Sequence, residues 1–509
     1  TPKPSSAASD VYKRQRRALL TIPKKAAGAG TGWLLETIRD IAFSDEGAFE
    51  LVRLFLQDIA RGDVPAEAAE ALGACLLVAL DKGGGAIRPI AMSDCLRRIA
   101  SRAVCIQYGK RWQEHFAPQQ YGVQTPGGAE QVYLQTNALL EQHPDWVVLR
   151  FDGVNAFNSI NRGPLLDQLR QLFPELLPLV GQFYLGSGKL YFRGADGETV
   201  TLASVSGVQQ GDPLGPFLYA LGIHPALVTL AERYRGRVWV LAYLDDIHLV
   251  GPGREVARAF CALRELLRPL GQHAAPGKCV AWSPRGDYAA FLAALPAGER
   301  DVRVSPDGFD VLGVPVGAPA DLPQRVLARC TDLGARGRPN FAQKLAALQG
   351  LAAADGRDGA AAALLLARTC ALPTCVYILR CLPPAVTADA AAAIDALVRG
   401  FVAELATQAG DTAATIDDGS VAANILSLPI ADRWGGLGLT SAVLLAPLAH
   451  AAAFLANAPA TVARLGPAAQ RCAVGNELDR LFSEVYAATA HRAAPVSYTH
   501  LRAHETKAN

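Results

Sequence analysis

The stretch Val238–Val250, VWVLAYLDDIHLV, narrows the folds open to this chain more than any other. Apolar sequence this dense reads as a strand pair buried on both faces, yet Asp245 and Asp246 interrupt it side by side. Burying a carboxylate without a partner is strongly unfavourable, and two neighbours repel each other as well. Two readings meet that cost. Either the acids sit in a solvated hairpin turn, or divalent cations such as Mg²⁺ supply the missing charge, as in sites of two-metal phosphoryl transfer.

At 509 residues, half of them hydrophobic, the chain is long enough for two to four domains or one large multi-lobed enzyme. A net charge of only +2 excludes a basic-tail mode of nucleic-acid binding and leaves any such contact to local patches. Ten cysteines without C-x-x-C spacing point to reduced thiols and an intracellular protein, nuclear or cytoplasmic. Cys370, Cys375 and Cys381 cluster, but no histidine or fourth cysteine stands at zinc-finger spacing. Lys13, Arg14, Arg16 and Arg17 precede only a short apolar pair, so no secretory signal is read. The run Leu444–Ala463 contains two prolines and His450 and reads as a buried helix pair, with no membrane expected as a partner. SSAASDVYKRQ near the start and VSYTHLRAHETKAN at the end resemble translated adaptor tails. Residues 1–31 are therefore expected to be a non-native or disordered leader and 491–509 a non-native tail.

From Gly32 to Leu80 the pattern is helical, broken at RGDVP, with Ala66–Leu80 as a second apolar segment. DKGGGAIRPI then reads as a flexible loop between Lys82 and Arg88. From Asp81 to Gln120 seven Lys or Arg face three Asp or Glu, which makes this the best candidate for a phosphate-contacting surface. Arg97, Arg98 and Arg102 are spaced to share one helix side, so an ordinary basic helix face explains the excess equally well. Trp146–Phe151 is strand-like and delivers Asp152 at its end, a common way to place a carboxylate at a sheet edge, although a helix cap fits Asp152 too. Lys189–Phe192 and Thr199–Val205 flank GADGE as a hairpin. Asp212 followed by Pro213 reads as a helix start behind a glycine loop, a place suited to phosphate. Arg254–Leu270 is an amphipathic helix stopped at Gly271, Lys278 lies in the turn that follows, and Gly308–Gly317 reads as a last hairpin. Beyond a boundary near Pro319–Pro323 the composition turns to helical alanine and leucine.

These pieces form an ordered series: a basic glycine loop, an acid at a strand end, a glycine loop before a helix, a paired-acid hairpin and a lysine turn. In that order the chain resembles the reverse transcriptases of non-LTR (LINE-like) retrotransposons over about Leu72–Gly317, with WGGLGL at Trp434–Leu439 similar to a segment after the thumb. The resemblance implies an α+β right-hand polymerase fold, with an antiparallel palm sheet, helical fingers and a helical thumb. Residues 32–80 would be a helical N-terminal extension, 81–317 the fingers and palm, and 324–490 the thumb and C-terminal region. It further implies an RNA-directed DNA polymerase that copies retroelement RNA into cDNA. Its partners would be an RNA template, a DNA primer or nicked target DNA, and dNTPs; its cofactor would be two Mg²⁺ ions, with Mn²⁺ as a substitute.

FDGVNAFNSI matches the family's first carboxylate motif and YLDD the second, which makes Asp152, Asp245 and Asp246 the metal-binding catalytic acids. Phe157 stands where the family carries an aromatic steric gate against the ribonucleotide 2′-hydroxyl. Gln210, with Gln209 as the register alternative, matches the glutamine that touches the incoming nucleotide. Lys82 and Arg88 match cations that hold the triphosphate, and Lys278 matches the lysine that protonates leaving pyrophosphate. Each of these has an ordinary core or surface reading beside it. Leu244 departs from the alanine more common in LINE-like enzymes, and no endonuclease, RNase H series or cysteine-histidine knuckle is legible. Two rivals stay open: a retroelement relic that binds RNA without synthesis, against which the intact acids speak, and an RNA-dependent RNA polymerase, against which Phe157 speaks.

Overall fold

The structure, a computed structural model, describes residues 6–21, 31–81, 87–186, 188–194, 196–275, 277–297, 302–331, 340–408 and 437–466. Lys82 and the Trp434–Gly436 half of WGGLGL lie outside them. By internal packing the chain forms two compact units, 1–132 with 143–312, and 133–142 with 313–509. No sequence signal had marked 133–142 as part of the later unit.

Nine strands of the first unit matter here: β1 Cys75–Asp81, β2 Ile87–Ser93, β3 Trp146–Phe151, β4 Gly188–Arg193, β5 Thr199–Ser204, β6 Trp239–Tyr243, β7 Asp246–Pro252, β8 Val280–Trp282 and β9 Arg303–Val304. They make two sheets, one in the order β2-β1-β4-β5 and one in the order β6-β7-β3-β8-β9. The second is antiparallel except at its β8–β9 edge, which is parallel. Val147, Val148 and Leu149 of β3 are fully buried on both faces, as a central strand requires. Helix Gly253–Leu267 packs on this sheet through Val256, Phe260, Leu263 and Leu267 and ends at Gly271 in the left-handed conformation. Helix Gly215–Arg233 packs beside it and carries twelve buried residues.

The segment 66–80, read as helical, is helix only over Ala66–Gly73; from Cys75 it is strand β1, paired antiparallel with β2 and parallel with β4. A short apolar run has no periodicity that separates buried strand from helix, and long-range pairing decided it. Nor is the leader structureless. Ser6–Thr21 is a helix whose Ala18 and Leu19 are buried in the core, against helix Cys95–Phe116.

In the second unit the helices Leu322–Thr331, Phe341–Leu366, Pro373–Cys381, Pro384–Gln408 and Ala442–Leu465 pack on one another. The helix pair expected at 444–463 is one helix, running through Pro447 and Pro459. Its start is fixed by Ser441 and by Asp395, whose carboxylate accepts the Ala442 N–H at 2.6 Å. Asp358–Cys381 and Ala442–Leu465 are each long and apolar enough to cross a membrane by length and composition alone.

Candidate active site

The β6–β7 hairpin turns through Leu244 and Asp245, with Tyr243 paired to Asp246. Strand β3 lies on the other side of β7, and Phe151 pairs with Ile247, so the register carried one step further sets Asp152 beside Asp246. Topology thus brings three acids to one end of one sheet, and all three are half-buried. Buried Tyr219 reports on their charge: burial, and then the fields of Asp245 and Asp246, push its hydroxyl well above the usual phenol range.

Asp245 also lines a cavity of about 320 Å³, together with Arg88, Phe157, Gln209 and Gln210. The Val208 N–H donates to the Phe157 carbonyl at 2.7 Å, and the Ala91 N–H donates to the Gln210 carbonyl at 2.9 Å, which pins the glutamine loop between Phe157 and β2. A Cβ on Gly211, at φ +122°, would stand 2.6 Å from the Ala91 carbonyl oxygen, so the close approach requires glycine there. The two glutamines divide their work. Gln209 is buried and its Oε1 accepts the Cys75 thiol at 3.2 Å, with burial pushing that thiol up to about 11 so that it stays a neutral donor. Gln210 is half-buried on the cavity wall, and its Oε1 has no hydrogen-bond partner among the described residues.

Phe157 is 9 % exposed and lies flat against Tyr219, ring centroids 4.5 Å apart. The Tyr219 hydroxyl donates to Gln272 Oε1 at 3.1 Å, and Gln272 Nε2 donates to the Ala156 carbonyl at 2.9 Å. Lys278 is exposed in a turn joined to the first acid through main chain, since the Ala275 N–H donates to the Asp152 carbonyl at 2.7 Å and the Lys278 N–H to the Ala275 carbonyl at 3.2 Å. It does not line the cavity.

Two expectations change. Asp212 and Pro213 do not open the helix, which begins at Gly215. Instead Asp212 is buried in an ion pair with Arg97, accepts the Tyr184 hydroxyl at 2.9 Å and accepts the Leu214 N–H at 2.9 Å. Arg97 therefore cannot serve a phosphate-contacting face: it is fully buried, its guanidinium 4.2 Å from the centre of the Phe183 ring. A buried carboxylate needs a cation, and this one takes it from the basic helix. The pair, the Tyr219–Gln272 relay and Gln120 behind the hairpin turn were not legible, because their partners lie far apart in sequence.

Among the described residues no group of three or more His, Cys, Asp or Glu side chains is placed so that it could hold a metal ion by itself. Residues 80–316 match the family model described as reverse transcriptase (RNA-dependent DNA polymerase). That stretch is a reverse transcriptase domain. The reverse transcriptase domain holds both carboxylate strands, the glutamine loop and Lys278 in a mixed α+β architecture. The chain is 27 % identical over 266 residues to the retrotransposable element SLACS 132 kDa protein of Trypanosoma brucei gambiense, covering 52 % of this chain and 22 % of that protein. It thus spans about a fifth of the length of this curated relative. Among solved structures, apo telomerase from Candida tropicalis is similar at 10 % identity and a TM-score of 0.40, covering 81 % of this chain and 69 % of that one. Telomerase from Candida albicans in complex with a telomeric RNA fragment gives 10 % and 0.37, with coverages of 70 % and 68 %. Reverse transcriptases generally use divalent metal ions.

Proposed function

We propose that this chain is an RNA-directed DNA polymerase that copies retroelement RNA into cDNA inside the cell, extending a DNA primer or nicked target DNA with dNTPs. One observation carries the reading: within the reverse transcriptase domain, Asp152 and the Asp245–Asp246 turn meet at one sheet end, and Asp245 opens onto a cavity shared with Arg88, Phe157 and Gln210.

The donor set fits a hard divalent cation. Three carboxylates share an edge, the field of Asp245 and Asp246 reaches the Tyr219 hydroxyl, and Mg²⁺ needs only one or two protein carboxylates when substrate phosphates and water complete its shell. Asp152, Asp245 and Asp246 would hold a pair of Mg²⁺ ions, replaceable by Mn²⁺. When bound, such ions make the primer hydroxyl a better nucleophile and screen the charge of the phosphate under attack. The Arg88 guanidinium, exposed at the cavity, suits bidentate contact with the triphosphate, and Lys82, six residues earlier in the sequence, would add a second cation. Gln210 is the half-buried glutamine of the cavity wall, whereas Gln209 is buried and holds the Cys75 thiol, which favours Gln210 as the one that meets the incoming nucleotide. The Phe157 ring fills the space that a 2′-hydroxyl would need. Lys278, exposed in its turn, would be the group that delivers a proton to departing pyrophosphate.

The test is primer extension by the full chain on an RNA template with Mg²⁺, comparing dNTPs with rNTPs. Extension with dNTPs and little with rNTPs is expected. No product from folded protein would overturn the enzyme, and equal use of rNTPs would overturn the gate.

A further inference from the structure

We infer that Gln120 is a positioning residue for the paired-acid turn: it grips Leu244 from both sides and so fixes the direction in which Asp245 and Asp246 present their carboxylates. This rests on the reading of those acids as holders of divalent cations. Leu244 adopts φ +55°, a left-handed conformation that a leucine does not hold without support from its surroundings. One side chain supplies hydrogen bonds on both sides of it. Gln120 Oε1 accepts the Leu244 N–H at 2.6 Å and the Gly122 N–H at 2.9 Å, while Gln120 Nε2 donates to the Leu244 carbonyl at 3.4 Å. Two main-chain donors on the oxygen also settle which end of the amide is which.

The grip is itself anchored. The Tyr121 N–H donates to the Ala242 carbonyl at 2.7 Å and the Ala242 N–H donates to the Gln119 carbonyl at 2.9 Å, a parallel bridge that lays residues 119–121 along the outer edge of β6. Gln120 is 2 % exposed, so water does not compete for its amide. Gly122 completes the contact: a Cβ there would stand 2.6 Å from Leu244 Cγ and 2.9 Å from the Leu244 nitrogen. Because the peptide that follows Leu244 leads directly into Asp245, a rotation at residue 244 swings the acids away from Asp152. Gln120 touches no reacting atom, and its effect passes wholly through the turn.

The experiment compares wild type, Gln120→Met and Asp245→Asn in the full chain, measuring Mn²⁺ affinity by electron paramagnetic resonance without nucleotide, then kcat, the KM for dNTP and template-primer affinity. Partners that orient metal ligands are worth about 10- to 100-fold in metal affinity or activity. Gln120→Met is expected to weaken Mn²⁺ binding about tenfold and lower kcat by about 10- to 100-fold, with KM and template-primer affinity within about twofold. A merely structural residue would move all of these together with the thermal midpoint. Wild-type Mn²⁺ affinity in folded Gln120→Met, with Asp245→Asn impaired, overturns the positioning role and leaves the metal reading intact. Wild-type affinity in both variants overturns the metal reading itself. Should Gln120→Met fail to fold, Gln120→Asn, which withdraws the same amide by one methylene, is held to the same outcomes.

Discussion

The Phe157 ring lies within 12° of parallel to the Tyr219 ring, so the residue that faces the cavity is backed by a second aromatic whose hydroxyl is tied to Gln272. Truncating the front ring and removing the back one should act alike on sugar choice. Phe157→Ala is expected to lower the preference for dNTP over rNTP by about 10- to 100-fold, the scale on which a pocket of fixed shape discriminates small groups. Tyr219→Leu, which leaves Phe157 in place without its stacking partner, should lower it by about threefold to tenfold. Competing incorporation of dCTP and rCTP on one template measures both, and unchanged discrimination in Phe157→Ala would remove it from the role of gate.

Asp152→Asn and Asp245→Asn should each depress synthesis by about 10³-fold or more, because the amide keeps the shape and loses the charge that a hard cation requires. Stability should change little or rise slightly, since a cluster of carboxylates repels itself. Thermal unfolding beside single-turnover extension tests the split. A drop of more than about 5 °C, the effect of about 1–2 kcal/mol in a domain of this size, would mark these acids as structural.

The buried pair of Arg97 and Asp212 predicts a different profile. Asp212→Asn strands a fully buried guanidinium and should cost about 3–5 kcal/mol in urea unfolding. Replacing both partners, as Arg97→Met with Asp212→Leu, should recover more than half of that loss, because the isolated charge is gone. No recovery in the double variant would show that Tyr184 and Leu214, and not the ion pair, carry the stability of this loop.

Acid should destabilise the first unit through its histidines. Burial, and then the neighbouring His115, push His224 down to about 4, and burial with the nearby charge of Arg150 pushes His248 down to about 3. The unfolded chain binds these protons at the ordinary value of about 6.5, before the folded chain does. Stability is therefore full above about pH 6.5 and is lost as pH falls, the share of His224 being spent near pH 4 and that of His248 near pH 3. The loss for His224 is about 3 kcal/mol. Denaturant unfolding of wild type and His224→Leu at pH 7 and pH 4.5 should show the shallower decline in the variant, and parallel declines would refute the assignment.

What the sequence disclosed was local. The strand at Trp146–Phe151, the hairpins at 188–204 and 238–250, and the helix ending at Gly271 are each written in consecutive residues as alternation, turn residues or an amphipathic stripe. Strand β1 was missed because its identity depends on β2 and β4, and its own letters suit a buried helix as well. The burial of Arg97 was invisible for the same reason: its partner lies 115 residues away, and nothing in a run of three arginines says which one turns inward. For the candidate site, the apolar run broken by Asp245 and Asp246 and the strand ending at Asp152 could be read from the letters themselves, whereas Phe157 and Gln210 were singled out only through the resemblance. The side chains that hold them, Tyr219, Gln272 and Gln120, looked like ordinary helix and loop letters, because support is a property of contact and leaves no spacing to read.

The Leu244 side chain rests on Gly122 and does not line the cavity. Variation at that position is therefore answerable to the segment 119–122 before it is answerable to any nucleotide.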